Sequence, residues 1–110
     1  MKHPEASFVV EVLTETDEIV CRAPEQPEQR ISILDLGSAY VETNARGPWG
    51  ADVWWLLDDR EGQTKVAFPQ LATGEAAVLE GLHQLPGFEV KGMNSVQNAR
   101  FRCWPPSTPA

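Results

Sequence analysis

Residues 51–85 read ADVWWLLDDREGQTKVAFPQLATGEAAVLEGLHQL, and this stretch decides the fold. Val53, Trp54, Trp55, Leu56 and Leu57 are apolar in succession, so a strand here is apolar on both faces and belongs at the centre of a sheet. Asp58 to Gln63 is a polar, glycine-containing turn that sends the chain back through Thr64-Lys65-Val66-Ala67-Phe68, a β-branched and aromatic run that completes a hairpin. The period then changes. Val78, Leu79, Leu82 and Leu85 fall on one face of a helix, with Thr73 as its N-cap, Glu75 facing the positive end of the helix dipole, and Pro86-Gly87 as its stop.

Upstream, Ser7 to Thr14 alternates as a strand, with Phe8, Val10 and Val12 on one face and Val9, Glu11 and Leu13 on the other. Glu15-Thr16-Asp17-Glu18 turns it into Ile19 to Ala23, and Pro24 and Pro27 end that arm in an exposed Pro/Glu/Gln loop. Arg30 to Leu36 and Ser38 to Thr43 are two extended pieces around Gly37, which fits a bulge or bend in one long strand or a turn between two, with one bent strand favoured, and residues 44–50 are dense in turn formers. Downstream, Phe88 to Val90 is extended, Asn94 to Gln97 has capping-box spacing for a short helical turn, and Arg100 to Trp104 is a last strand. The expected fold class is α+β: a single antiparallel sheet of five to seven strands, strongly bent or partly closed, with one main helix. One globular domain covers residues 1–104, followed by a Pro-rich tail at 105–110.

Sixteen acidic against nine basic residues leave a net charge of −7, which opposes approach to nucleic acid and to anionic membranes and favours a basic protein partner. No apolar run approaches the roughly 20 residues of a membrane span, and no secretory h-region follows Met1 to Glu5, so the expected location is cytoplasmic. Cys21 and Cys103 are too few and too far apart for a disulfide framework and read as reduced thiols, although a bridge between neighbouring first and last strands is sterically open. Neither His3 nor His83 has a ligand-spaced partner, so no metal site and no cofactor are expected.

The candidate binding residues are Trp49, Trp54, Asp58, Asp59, Arg100 and Arg102. Trp49 lies in a Gly/Pro loop, where an indole is accessible, whereas Trp54 and Trp55 must point to opposite faces of their strand, so that one fills the core. Asp58 and Asp59 sit in a hairpin turn that suits solvated carboxylates, and such turns gather at one end of a sheet. Arg100 and Arg102 share one strand face and, with Lys91, form the one basic concentration in an acidic chain. A nucleophilic site could be assembled from Cys103, His83 and Asp35, three residue types with no supporting spacing, and a catalytic role is not expected.

At Ala72-Thr73-Gly74-Glu75, Leu85-Pro86-Gly87-Phe88 and Asn98 to Trp104 the chain resembles a group of short bacterial proteins of unknown function. That resemblance covers the C-terminal half and implies no activity. The order of a β-meander followed by a helix is also similar to bacterial pleckstrin-homology-like domains, though the first hairpin turn is acidic where a phosphoinositide binder would carry Lys and Arg. The expected function is non-catalytic protein binding, of the kind by which a bacterial immunity protein neutralises a basic toxin. The alternatives are a small-ligand domain with an apolar pocket lined by Trp55, Phe68 and Leu82, and a Cys-dependent enzyme.

Overall fold

The computed structural model describes residues 8–24, 26–44, 52–90 and 99–105. Their order is β1 (Val9–Leu13), β2 (Glu18–Arg22), β3 (Gln29–Ser32), a 3-10 turn (Ile33–Asp35), β4 (Leu36–Asn44), β5 (Asp52–Asp59), β6 (Thr64–Pro69), α1 (Glu75–Leu82) and β7 (Ala99–Trp104). All ladders are antiparallel, and they form two sheets in place of the expected single one: β1-β2-β3, and β6-β5-β4-β7. The α+β class holds. The sheet is neither single nor closed.

The reason lies at Ile33–Asp35. The Ile33 N–H still donates to the Asp17 carbonyl at 2.8 Å, in register with the β2–β3 ladder, but the Ser32 hydroxyl then accepts the Leu34 N–H at 3.3 Å and the Leu36 N–H closes the turn on the Ile33 carbonyl. The last two bonds turn the chain out of that ladder. The chain therefore leaves the first sheet after Ser32 and enters the second at Leu36. Gly37 lies at a bulge in the β4–β5 ladder, one of the readings its position allowed, while the break between strands falls at the 3-10 turn before it.

β5 lies between β6 and β4, as its two apolar faces require. Its inward residues Val53, Trp55 and Leu57 are buried, together with Ala39 and Val41 of β4 and Val66 and Phe68 of β6. Val10, Ile19, Cys21 and Ile31 of the first sheet and Val78 and Leu82 of α1 join the same core. Removing a side chain of this size from water is worth about 1.5–3 kcal/mol, so this core is the main force joining the two sheets. β6 also lies alongside β3, where the Ala67 N–H donates to the Gln29 side-chain oxygen at 3.0 Å. A side chain thus satisfies an amide on the edge of β6 that no strand pairs.

The helix starts at Gly74 and not at Thr73. The Thr73 backbone is taken up by β1, its N–H donating to the Phe8 carbonyl and its carbonyl accepting from Val10, each at 2.8 Å. Gly74 follows with φ of 91°, and a Cβ there would stand 2.0 Å from the Val10 carbonyl oxygen, so only glycine permits this approach. Val78 and Leu82 are buried, while Leu79, Leu85 and Phe88 pack partly buried against the core. Among the described residues no helix is long and apolar enough to cross a membrane. Trp49, His3, Lys91, the turn expected at Asn94–Gln97 and the tail from Pro106 lie outside the described residues.

Candidate binding surface

Trp55 and Trp54 occupy opposite faces of β5. Trp55 is wholly buried beneath the helix, stacked on Phe88 at 6.2 Å between ring centroids, with its indole N–H on Glu75. Trp54 is half-buried on the outer face, edge-on to Phe8 at 5.5 Å. Cross-strand pairing places Pro69, Trp54, Glu42 and Arg100 in one row of that face, and Ala67, Leu56, Tyr40 and Arg102 in the next. Arg100 donates to Glu42 at 3.0 Å, and its guanidinium carbon lies 5.3 Å from the Tyr40 ring centroid. Trp54, Arg100 and Arg102 thus share a surface, and Arg100 is engaged within it.

Asp58 and Asp59 sit elsewhere, and both serve their own hairpin. Asp58 is only 5% exposed and accepts the Thr64 hydroxyl at 2.6 Å. One Asp59 oxygen accepts the N–H groups of Glu61 and Gln63, each at 2.9 Å, and the other lies 3.9 Å from Lys65. Those bonds shape the β5–β6 turn.

That turn is one of three connections gathered at the same end of the molecule. The 3-10 turn links them, because Ile33 donates to the carbonyl of Asp17 in the β1–β2 turn while Arg60, in the β5–β6 turn, donates from Nε to the Leu34 carbonyl at 3.1 Å. Glu15, Asp17, Asp35 and Glu61 are all exposed there. Between the two hairpin turns stands Leu34, 76% exposed. This end joins positions far apart in sequence. Leu34 and Asp35 read as strand residues in the sequence, although Ser32-Ile33-Leu34-Asp35 fits the Ser-x-x-Asp signature of a capped turn.

The outer face of the three-stranded sheet carries a chain of ion pairs. Arg22 bonds Glu11 and, at 2.9 Å, Glu28; Arg30 bonds Glu28 at 2.9 Å and Glu18 at 3.2 Å. The hydrogen bond from Arg30, followed by its charge and the contacts of Arg22, holds the Glu28 carboxyl below the usual glutamate range. Val20, directly between Glu11 and Arg30 across the strands, is fully buried yet stands apart from the main core cluster.

Cys21 and Cys103 are free thiols, both buried. Cys103 lies within β7, His83 is exposed and edge-on to Phe88 at 5.0 Å, and Asp35 is exposed in the 3-10 turn. Trp55, Phe68 and Leu82, named as the lining of an apolar pocket, are fully buried in the core. Among the described residues no group of three or more His, Cys, Asp or Glu side chains could hold a metal ion. No family model, no curated protein and no solved structure matches the chain.

Proposed function

We propose that this chain is a non-catalytic protein-binding module that presents its acidic end to a basic protein, in the manner of a cytoplasmic bacterial immunity protein that neutralises a toxin. The observation that carries the reading is the convergence of Glu15, Asp17, Asp35 and Glu61 at one end through the bonds Ile33–Asp17 and Arg60–Leu34. Carboxylates spread evenly over a surface would serve solubility alone. Carboxylates concentrated on one face steer a cationic partner and fix its orientation.

The test is co-expression with a basic protein encoded beside its own gene, followed by gel filtration and titration calorimetry at two salt concentrations. A complex whose affinity falls as salt rises is the expected result, since exposed charges are screened over about 8–10 Å at ordinary ionic strength. An Asp35→Lys, Glu61→Lys double variant should lose most of that affinity without losing its fold. Failure to bind, or binding indifferent to both salt and the double variant, would sink the reading.

A further inference from the structure

Trp55 is wholly buried, and its indole edge is tied to the helix by the 3.1 Å bond to Glu75. The ring laid against it is that of Phe88, nearly parallel at 20° and 6.2 Å between centroids, and the same ring meets His83 at 81° and 5.0 Å. Phe88 thus receives one stacked and one edge-on contact, the two arrangements that aromatic quadrupoles favour. The segment carrying it is a strap between the end of α1 and β7. Pro86, Gly87, Glu89 and Val90 are exposed, and Phe88 is only partly covered. Two bonds at 3.0 Å tie the strap to β7, from the Glu89 N–H to the Cys103 carbonyl and from the Trp104 indole to the Pro86 carbonyl. Gly87, between them, has φ of 83°, a backbone that swings without the limits a side chain imposes. A segment with few buried contacts and bonds at the surface opens more readily than the core beneath it.

We propose that Phe88 is the internal occupant of an aromatic site: the strap at residues 85–90 lifts about Gly87, and a small molecule with a flat aromatic ring takes the place of Phe88 against Trp55 and beside His83. The site is separate from the acidic end and does not depend on it. Trp55 and His83 remain in place when the strap lifts, since one is bonded to Glu75 and the other closes the end of α1. The stacking surface is therefore ready before a ligand arrives. Phe88 acts as a competitor within the chain, because a ligand that binds only the open form has its apparent affinity reduced in proportion to the fraction open.

Indole is the probe, cyclohexanol the control ring without an aromatic face, and amide hydrogen exchange of the wild-type chain followed by NMR the readout. The Glu89 amide should exchange about a hundredfold or more faster than that of Val41 in the core, because it is freed by a local opening. Indole should raise the Glu89 rate further and shift the Trp55 indole N–H signal, since a ligand of the open form increases its population. Cyclohexanol should do neither. Phe88→Ala removes the competitor and should bind indole about tenfold or more tighter than wild type; if that variant does not fold, the wild-type measurements decide alone. A Glu89 amide as protected as that of Val41 overturns the lifting strap. Glu89 and Trp55 signals that ignore indole, or that answer cyclohexanol equally, overturn the aromatic site, as does a folded Phe88→Ala variant that binds indole no tighter.

Discussion

The indole N–H of Trp55 donates to one carboxylate oxygen of Glu75 at 3.1 Å, tying the middle strand of the larger sheet to the first turn of the helix. The other oxygen of Glu75 accepts the backbone N–H of Leu71 at 3.2 Å, where the chain takes a left-handed φ of 75°. One carboxylate thus serves a buried donor, a strained loop and the positive end of a helix. Glu75→Ala leaves the Trp55 N–H without its partner and should cost about 1–3 kcal/mol, read as a lower urea midpoint. Glu75→Gln keeps one acceptor but turns an amide N–H toward the second donor, so its midpoint should fall between those of wild type and Glu75→Ala. Equal midpoints for wild type and the alanine variant would remove the bond from any account of stability.

Gly74 and Gly62 separate two costs that glycine replacements usually mix. Both have left-handed backbones, φ 91° and 86°, but a Cβ at Gly62 meets nothing within 4 Å, whereas one at Gly74 meets the Val10 carbonyl oxygen at 2.0 Å. Gly62→Ala should cost about 1–2 kcal/mol, the penalty for the backbone region alone. Gly74→Ala must also push the helix entry away from β1, and should cost a further 1–3 kcal/mol or so, typical of overpacking. Urea denaturation of the two variants measures the difference; similar losses would mean that the approach of Gly74 to β1 is not tight in solution.

The ion-pair chain over Val20 should give the fold an acid-sensitive component. The carboxyl of Glu28 titrates below its usual value, about 4.3, chiefly because Arg30 donates to it in the folded state. A group with a depressed folded pKa stabilises the fold above the unfolded pKa, and that contribution is lost as pH falls through the folded value. Glu28→Gln should therefore be less stable than wild type at neutral pH, and the gap should close as pH falls through the depressed folded value of Glu28. Urea midpoints measured across this range decide the matter: a gap that stays constant with pH would show that the glutamine acts through packing and not through charge.

What was legible in the sequence was local. Five apolar residues at Val53–Leu57 pointed to a strand at the centre of a sheet, and the spacing of Val78, Leu79 and Leu82 pointed to a helix with one apolar face. The division into two sheets was not legible, because Ile31 and Ile33 alternate as in a strand while the break comes from a 3-10 turn, with the Leu34 N–H on the Ser32 hydroxyl and the Leu36 N–H on the Ile33 carbonyl. The same holds for the helix start. Thr73 is a better cap than Gly74 by residue type, but its backbone pairs with β1, and Gly74 is the residue that can pass Val10. The acidic end was half legible: the carboxylate-rich turns were visible, but their meeting around Leu34 depends on Asp17, Leu34 and Arg60, which lie in separate connections. Asp58 and Asp59, the acids nearest to hand in the sequence, prove to be occupied by their own turn.

The two thiols provide a chemical test of the core from both sheets. Cys21 lies in β2 and Cys103 in β7, both buried, and burial raises the pKa of the Cys21 thiol. A raised pKa means less thiolate at any given pH, and thiolate is the reactive form. Both thiols should therefore react with a disulfide reagent at pH 8 far more slowly than in the unfolded chain, and both should become reactive together as urea approaches the unfolding midpoint. That common onset follows because Cys21 and Cys103 belong to one core cluster, so neither is uncovered without disturbing the other. Cys21→Ser and Cys103→Ser variants, each with one thiol left, assign the rates. A Cys103 that reacts rapidly in the folded chain would contradict its burial and return it, with His83, to consideration as a nucleophile; a Cys21 that reacts alone would show that the three-stranded sheet opens independently of the four-stranded one.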